Sequence, residues 1–367
     1  MTLQGKGFFI WKIPSCEGGS PTAIANAAQA AGLTHVMLKI ADGTRSYNIN
    51  PTTGADLVPP VAQALWARNI RVWGWHYIYG EDPVGEARKA VQRMLETNLD
   101  GYIIDAEAEF QAAGMDAAAR AYMNELRAGL PNHPLALSSF RFPSYHPQFP
   151  WRDFLNKCDY NMPQVYWEMA HNPASQLTRC VTEFQNLTPF RPIIPTGPTY
   201  TIGGWAPTEE DTIEFLDRAR VLNLTAANFF SWDECKRYLP ELWTVIKNYN
   251  WPIQPPSQDI VVRYIAALNN HNPTQVAALY TANAVQINNT RAIQGTANLI
   301  QWFGEFFHRF LPNAVFTLIN STTVDSTRHF TWRATSSLGS IRDGSDTMGI
   351  IGDRISYHYS FFSPPHL

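Results

Sequence analysis

Along the first 250 or so residues, short apolar runs of strand type alternate with longer stretches whose apolar residues recur at helical spacing. The strand-type runs fall at 7–13, 35–43, 71–80, 101–110, 134–140, 160–167, 190–200 and 225–233. Helices are predicted over 22–32, 58–69, 81–98, 115–129, 174–186, 208–222 and 239–249, with Gly32 as the stop of the first. Eight βα units at this length have the size and rhythm of a (β/α)₈ barrel of the TIM type, an α/β fold. An open doubly wound sheet fits less well, because no glycine-rich phosphate loop follows the first run.

The pattern then breaks. Residues 250–257 read NWPIQPPS, and Pro252, Pro255 and Pro256 can continue neither a helix nor a central strand. This predicts a barrel over 1–249, a proline-rich linker over 250–256 and a second domain over 257–367. In the second domain, 259–270, 273–281 and 298–310 read as helices. Strand runs follow at 315–324, 329–338, 345–351 and 354–362. Helices first and then an antiparallel meander give an α+β domain.

Composition narrows the function. The chain has 367 residues, room for two domains, and 45% are hydrophobic, enough for real cores. A net charge of −3, a pI near 6.4 and the lack of any Lys/Arg run argue against a nucleic-acid partner. Twelve tryptophans stand out; most such rings pack cores, but the excess favours a carbohydrate ligand, since flat apolar rings stack on sugar faces. Cys16, Cys158, Cys180 and Cys235 show no metal-ligand spacing and are expected to be free and buried. No metal or organic cofactor is implied. No apolar run is long enough to span a membrane. The N-terminal segment lacks a signal-like apolar stretch, so the encoded form is expected to be cytoplasmic unless another system exports it.

The fourth run, GYIIDAEAEF, carries Asp105, Glu107 and Glu109. Alternate strand residues share a face, about 6.6 Å apart. Asp105 follows four apolar or aromatic positions and so falls near the C-terminal end of its strand, the end at which barrel active sites lie. Buried acids are costly unless solvated, paired or used. One reading is an ion-pair network with a Lys or Arg. The other is glycosidic cleavage, in which one carboxylic acid protonates the leaving oxygen and a second group stabilises the cation-like centre. Crowding raises one pKa and supplies the acid near neutral pH. Glu107, further out, is the better proton donor.

Three segments resemble family 25 glycoside hydrolases, the muramidase-type lysozymes. They are HVMLKIADGT (35–44) on the second strand, VWGWHYIYG (72–80) on the third and YIIDAE (102–107) on the fourth. DGYIIDAE (100–107) also resembles the family 18 chitinase motif, with Ile103 where that family has an aspartate, but family 18 matches this strand alone. The resemblance covers roughly the first 110 residues. It implies a glycosidase acting on N-acetylhexosamine polymers such as peptidoglycan, with Glu107 as acid and Asp105 stabilising the cation or orienting an acetamido group. Family 25 carries an aspartate at the end of the first strand; here stand Trp11 and Lys12. The alternative is a catalytically silent glycan-binding barrel. Lys39 is a candidate ion-pair partner of Asp105. Trp75, His76, Gln164, Tyr166, Trp232 and Asp233 are further candidates for an oligosaccharide cleft, with Trp232 as its floor.

Residues 257–367 resemble SnoaL-like proteins of the nuclear-transport-factor-2 superfamily, carried by 261–285, the helix around 300–307 and the strands at 352–362. The resemblance implies a cone-shaped sheet closed by helices, with a pocket lined by Trp302, Phe306, Trp332, Tyr357 and Tyr359. His329, His358 and Asp346 are its candidate polar residues. A binding or dimerising module is expected, with a homodimer formed through this domain.

Overall fold

The computed structural model describes residues 3–251, 259–351 and 353–363. The chain divides into two compact units, Met1–Ile253 and Gln254–Leu367. The expected proline-rich linker falls largely on residues 252–258, outside the described residues.

In the first unit the strands are β1 (Gly5–Ile10), β2 (Leu33–Asp42), β3 (Arg45–Ser46), β4 (Arg71–Ile78), β5 (Gly101–Ala106), β6 (Leu135–Phe140), β7 (Tyr160–Gln164), β8 (Thr196–Pro198) and β9 (Ala226–Phe230). Eight of them close into a parallel barrel in the order β1-β2-β4-β5-β6-β7-β8-β9, with β9 returning to β1. The two-residue β3 is an antiparallel appendage on the end of β2. The helices are α1 (Pro21–Ala30), α2 (Val58–Trp66), α3 (Pro83–Thr97), α4 (Met115–Gly129), α5 (Trp151–Leu155), α6 (Pro173–Gln185), α7 (Glu209–Val221), α8 (Trp232–Tyr238) and α9 (Pro240–Asn248). Their starts are chemically specified. Ser20 caps α1 ahead of Pro21, and Thr208 and Asp211 form a reciprocal capping box on α7.

Strand alternation sorts the side chains. Phe8, Ile10, Val36, Leu38, Ile40, Tyr102 and Ile104 pack in the layer shared with the helices. Phe9, Met37, Trp73, Trp75, Ile103, Tyr160 and Met162 form a separate cluster that fills the lumen. Deeper in the lumen, His35 accepts or donates through Nε2 to Asn228 Oδ1 at 2.6 Å and is fully buried. Gly7 is there because a Cβ would come within 2.2 Å of that imidazole. The four cysteines are free and buried.

The sequence pattern overshoots or misses in identifiable places. β1 ends at Ile10 rather than at residue 13, and the seventh run shrinks to Thr196–Pro198 because Pro192 and Pro195 have no N–H for a ladder. The short α5 and α8 went unforeseen, being too brief to show helical periodicity.

The second unit holds α10 (Ile260–Asn269), α11 (Pro273–Ala277), β10 (Tyr280–Ile287), β11 (Ala292–Gln294), α12 (Thr296–Glu305) with a π-turn over Phe306–Phe310, then β12 (Val315–Val324), β13 (Thr327–Ser336), β14 (Gly339–Ile351) and β15 (Arg354–Phe361). The sheet order is β11-β10-β15-β14-β13-β12. The expected helices-then-meander order needs one correction: β10 and β11 come between the helices, and β10 pairs in parallel with β15. On β13, Phe330, Trp332 and Ala334 are buried while His329, Thr331 and Arg333 are exposed, so one sheet face packs on the helices. Among the described residues, no helix is long and apolar enough to cross a membrane.

Candidate active site at the strand ends of the barrel

Asp105 lies on β5, and Glu107 follows as the residue preceding a short 3-10 turn, Ala108–Gln111. Gln164, the last residue of β7, bridges them: its Nε2 donates to Asp105 Oδ1 at 2.9 Å and to Glu107 Oε1 at 2.8 Å. Ser138 on β6 stands 3.3 Å from the same amide nitrogen. Three strands thus converge on one carboxylate pair at the C-terminal end of the barrel.

Asp105 is 8% exposed and Glu107 is half-buried. Burial holds the Asp105 carboxyl well above the usual carboxylate range, the Glu107 charge adds to this, and Lys39 opposes it. Burial also raises Glu107, against the hydrogen bond from Gln164, with the Glu109 charge pushing the same way as burial. The Glu107 charge therefore makes Asp105 harder to ionise, while Glu109 does the same to Glu107. Tyr77 on β4 donates to both oxygens of Glu109, at 3.1 and 2.9 Å, and holds it beside the pair.

Two clefts meet at Glu107. One, of about 330 Å³, is bounded by Trp11, Lys39, Asp42, Trp75, Tyr77, Tyr79, Asp105, Glu109 and Phe230. The other, of about 360 Å³, is bounded by Phe140, Arg141, Phe142, Tyr145, His146, Gln164, Tyr166, Glu168 and Tyr200. Phe230, at the end of β9, ties the aromatic walls together, with ring centroids 6.0 Å from Trp75 and 6.3 Å from Trp11, Tyr166 and Tyr200.

Of the residues expected here, Asp105, Glu107, Lys39, Trp75, Gln164 and Tyr166 come together. Lys39 differs in its partner. Its ion pair is with Asp42 at 2.5 Å rather than with Asp105, and its ammonium lies 4.5 Å from the Tyr47 ring centre and 4.9 Å from that of Trp75. Asp42 also accepts from Tyr79 at 2.8 Å.

Three expected cleft residues lie elsewhere. His76 has the opposite strand parity to Trp75 and Tyr77, so it is fully buried on the helix side, between Tyr102 Oη at 2.8 Å and the Gly43 carbonyl at 2.7 Å. Burial lowers its pKa to about 4, and it stays neutral there. Trp232 is also fully buried. It opens α8 and packs on Trp243 at 4.6 Å and Phe8 at 6.0 Å in the helix layer, leaving the cleft position to Phe230. Asp233 goes with that helix, and its charge acts on Cys16. The signal that would have found Tyr77 and Phe230 is parity with Trp75 and with the lumen face of β9. Arg141, Glu168 and Tyr200 sit on loops, where no periodicity marks them.

In the second unit, Trp302, Phe306 and Trp332 belong to one buried aromatic cluster. Tyr357 and Tyr359 do not line an interior. They are 45% and 50% exposed, because alternation on β15 turns His358 and Ser360 inward instead. His358 is paired: Nε2 meets Asp346 Oδ2 at 2.8 Å, and Nδ1 meets Tyr280 Oη at 2.6 Å. Ser360 donates to the other Asp346 oxygen at 2.8 Å, completing a buried polar chain. His329 is exposed and bonded to Thr347 at 2.9 Å. Among the described residues, no group of three or more His, Cys, Asp or Glu side chains is arranged to hold a metal ion.

No curated protein matches the chain by sequence. Among solved structures it is similar to an NTF2-like protein of unknown function from Cytophaga hutchinsonii, at 14% identity and a TM-score of 0.26, covering 30% of this chain and 93% of that one. It is similar as well to an uncharacterized cystatin-fold protein from Novosphingobium aromaticivorans, at 16% identity and a TM-score of 0.25, covering 28% and 93%. A cystatin-like-fold protein of unknown function from Methylobium petroleophilum matches at 12% identity and a TM-score of 0.26, covering 29% and 76%. The sequence model of the SnoaL-like domain family matches residues 261–358, and the second unit therefore carries a SnoaL-like domain.

Proposed function

We propose that the first unit is a (β/α)₈ barrel of the TIM type working as a glycoside hydrolase on N-acetylhexosamine-containing polysaccharide such as peptidoglycan. The observation that carries the reading is the Asp105–Gln164–Glu107 bridge at the strand ends, with Glu107 on the edge shared by two aromatic-walled clefts. A glycosidic bond lying over Glu107 has a sugar on either side, and the clefts offer rings to both. Glu107 protonates the leaving oxygen, and burial keeps that proton available toward neutral pH. Asp105, more deeply buried and held toward its protonated form, orients an acetamido group that attacks from within the substrate or, when ionised, stabilises the cation-like centre.

A second reading, a barrel that binds glycan without cutting it, is favoured by one observation. The first strand leads to Trp11 and Lys12 and brings no carboxylate to the cleft.

The test compares the intact protein with Glu107→Gln on peptidoglycan, chitin oligomers and aryl glycosides. The expected result is turnover by the unmodified protein and a loss of about 10²–10⁴-fold in the variant, with binding retained. Turnover that survives Glu107→Gln refutes the acid. Binding without turnover by the unmodified protein selects the silent barrel, and absence of both removes the glycan reading.

A further inference from the structure

The cleft on the β6–β7 side of Glu107 holds a guanidinium that is bonded to neither of its carboxylates, Glu107 and Glu168. Arg141 follows directly on β6 and is half-buried in the wall of that cleft. Its guanidinium makes no hydrogen bond or ion pair with any described residue, and it lies 5.2 Å from the centre of the Phe142 ring. Glu168 acts on it through its charge alone: that carboxylate accepts from the Tyr200 hydroxyl and forms no ion pair. Other arginines of this barrel are held. Arg93 meets Asp56 and Glu96, Arg127 meets Asp159, and Arg179, on the same rim, meets Glu183 at 2.7 Å while its guanidinium covers Phe142 and Tyr145.

Withdrawing a guanidinium from water without a bonded counter-charge is unfavourable, and burial lowers the Arg141 pKa, with the Glu168 charge opposing it. Five N–H donors in a planar fork, left unused beside a proton donor, are the recognition element for a carboxylate. The surrounding rings of Phe140, Tyr166 and Tyr200 exclude water from that contact and offer faces to a sugar.

We propose that Arg141 recognises a carboxylate on the sugar unit that occupies this cleft, so that the substrate chain is acidic rather than neutral. The inference rests on the glycan reading of the cleft and adds to it a residue and a substrate class. Two chemistries present such a group: a carboxyl carried on an ether-linked side arm, and the C6 carboxyl of a uronic acid.

The experiment measures binding by calorimetry to full-length Glu107→Gln, with and without Arg141→Met. Three tetrasaccharides that share N-acetylglucosamine serve as probes: one alternating with N-acetylmuramic acid, one alternating with glucuronic acid, and neutral chitotetraose. One acidic probe is expected to bind at least about ten-fold more tightly than chitotetraose, the gain of a charge-assisted hydrogen bond. Arg141→Met is expected to erase that preference, with a cooperative melting transition reporting that the variant is folded. Arg141→Lys keeps the charge without the fork and should recover only part of it. The acidic probe that shows the preference identifies the source of the carboxyl. A preference that survives Arg141→Met, or equal binding of all three probes, overturns the proposal and leaves the glycan reading standing. Failure of all three to bind overturns both.

Discussion

Replacing Asp105 with Asn should stabilise the barrel, and the gain should grow with pH. Asp105 and Glu107 accept from one nitrogen at 2.9 and 2.8 Å, so their bonded oxygens lie within about 5.7 Å of each other. Two full charges at that separation repel by about 3 kcal/mol at an effective dielectric of about 20. Because the pair relieves part of this by retaining a proton, the gain at pH 8 should be about 1–3 kcal/mol. The sign follows from linkage. The Asp105 carboxyl is raised in the folded protein, so its contribution to stability is full below the ordinary carboxylate pKa of about 4 and is lost as pH climbs through the folded value. The unmodified protein should therefore lose barrel stability from mildly acidic to alkaline pH, and Asp105→Asn should lose less. For a unit of this size each kcal/mol moves the melting temperature by about 2–4 °C. Calorimetry of the full chain should show the barrel transition of Asp105→Asn several degrees above that of the unmodified protein at pH 8, and close to it at pH 4. A variant that melts lower at pH 8, or a difference that does not change with pH, would refute the reasoning.

Three further outcomes are expected. Gly7→Ala brings a Cβ within 2.2 Å of the buried His35 ring, which its bond to Asn228 prevents from retreating; the barrel should lose about 1–3 kcal/mol, read as a lower melting temperature. Phe230→Ala should weaken oligosaccharide binding by roughly ten-fold while Trp232→Phe changes stability and leaves affinity alone, because only the first ring borders the cleft. The exposed face of the second unit's sheet carries Tyr357, Tyr359 and Phe361, and we expect two copies to pair there; sedimentation should show a dimer that Tyr357→Ser with Tyr359→Ser dissociates, and a monomer at high concentration of the unmodified protein rules the pairing out.

What the sequence made legible was what periodicity reports. Eight apolar runs separated by amphipathic stretches correspond to a closed parallel barrel, since buried strands read as continuous hydrophobic segments and helices keep one polar face. Where prolines interrupt a run, as at 192 and 195, hydrophobicity survives but the ladder does not, and the strand shortens. β10 was invisible because TANAVQINN is mostly polar and its pairing is set by β15, far along the chain, and the three-residue β11 is too short to show a period. At the site the errors have two physical origins, the alternation of a strand's faces and the point at which the strand ends. A one-residue step along a strand exchanges the two faces of the sheet. Trp75 reaches the cleft and His76 the helix layer; Phe230 reaches the cleft, and the chain has already turned into α8 at Trp232; His358 turns inward and its tyrosine neighbours turn outward. Residue type marked these segments as chemical, and register decided which member of each pair faces the chemistry.

The same rule separates the roles of the two acids. Asp105 lies within β5, in register with Tyr77 on one side and Ser138 on the other, so its carboxyl is fixed by two neighbouring strands and kept from water. Glu107 comes after the ladder has ended, where the backbone leaves the strand for a 3-10 turn, and it borders both clefts. A group that stabilises charge in a transition state works best when it cannot reorient, because its dipole is then aligned in advance. A group that delivers a proton must regain one from solvent in every cycle, and the more exposed Glu107 is better placed to do so than Asp105, which is 8% exposed. In the proposed reaction the more buried acid, when ionised, is therefore the electrostatic partner and the more accessible acid is the donor, an assignment that follows from where β5 stops.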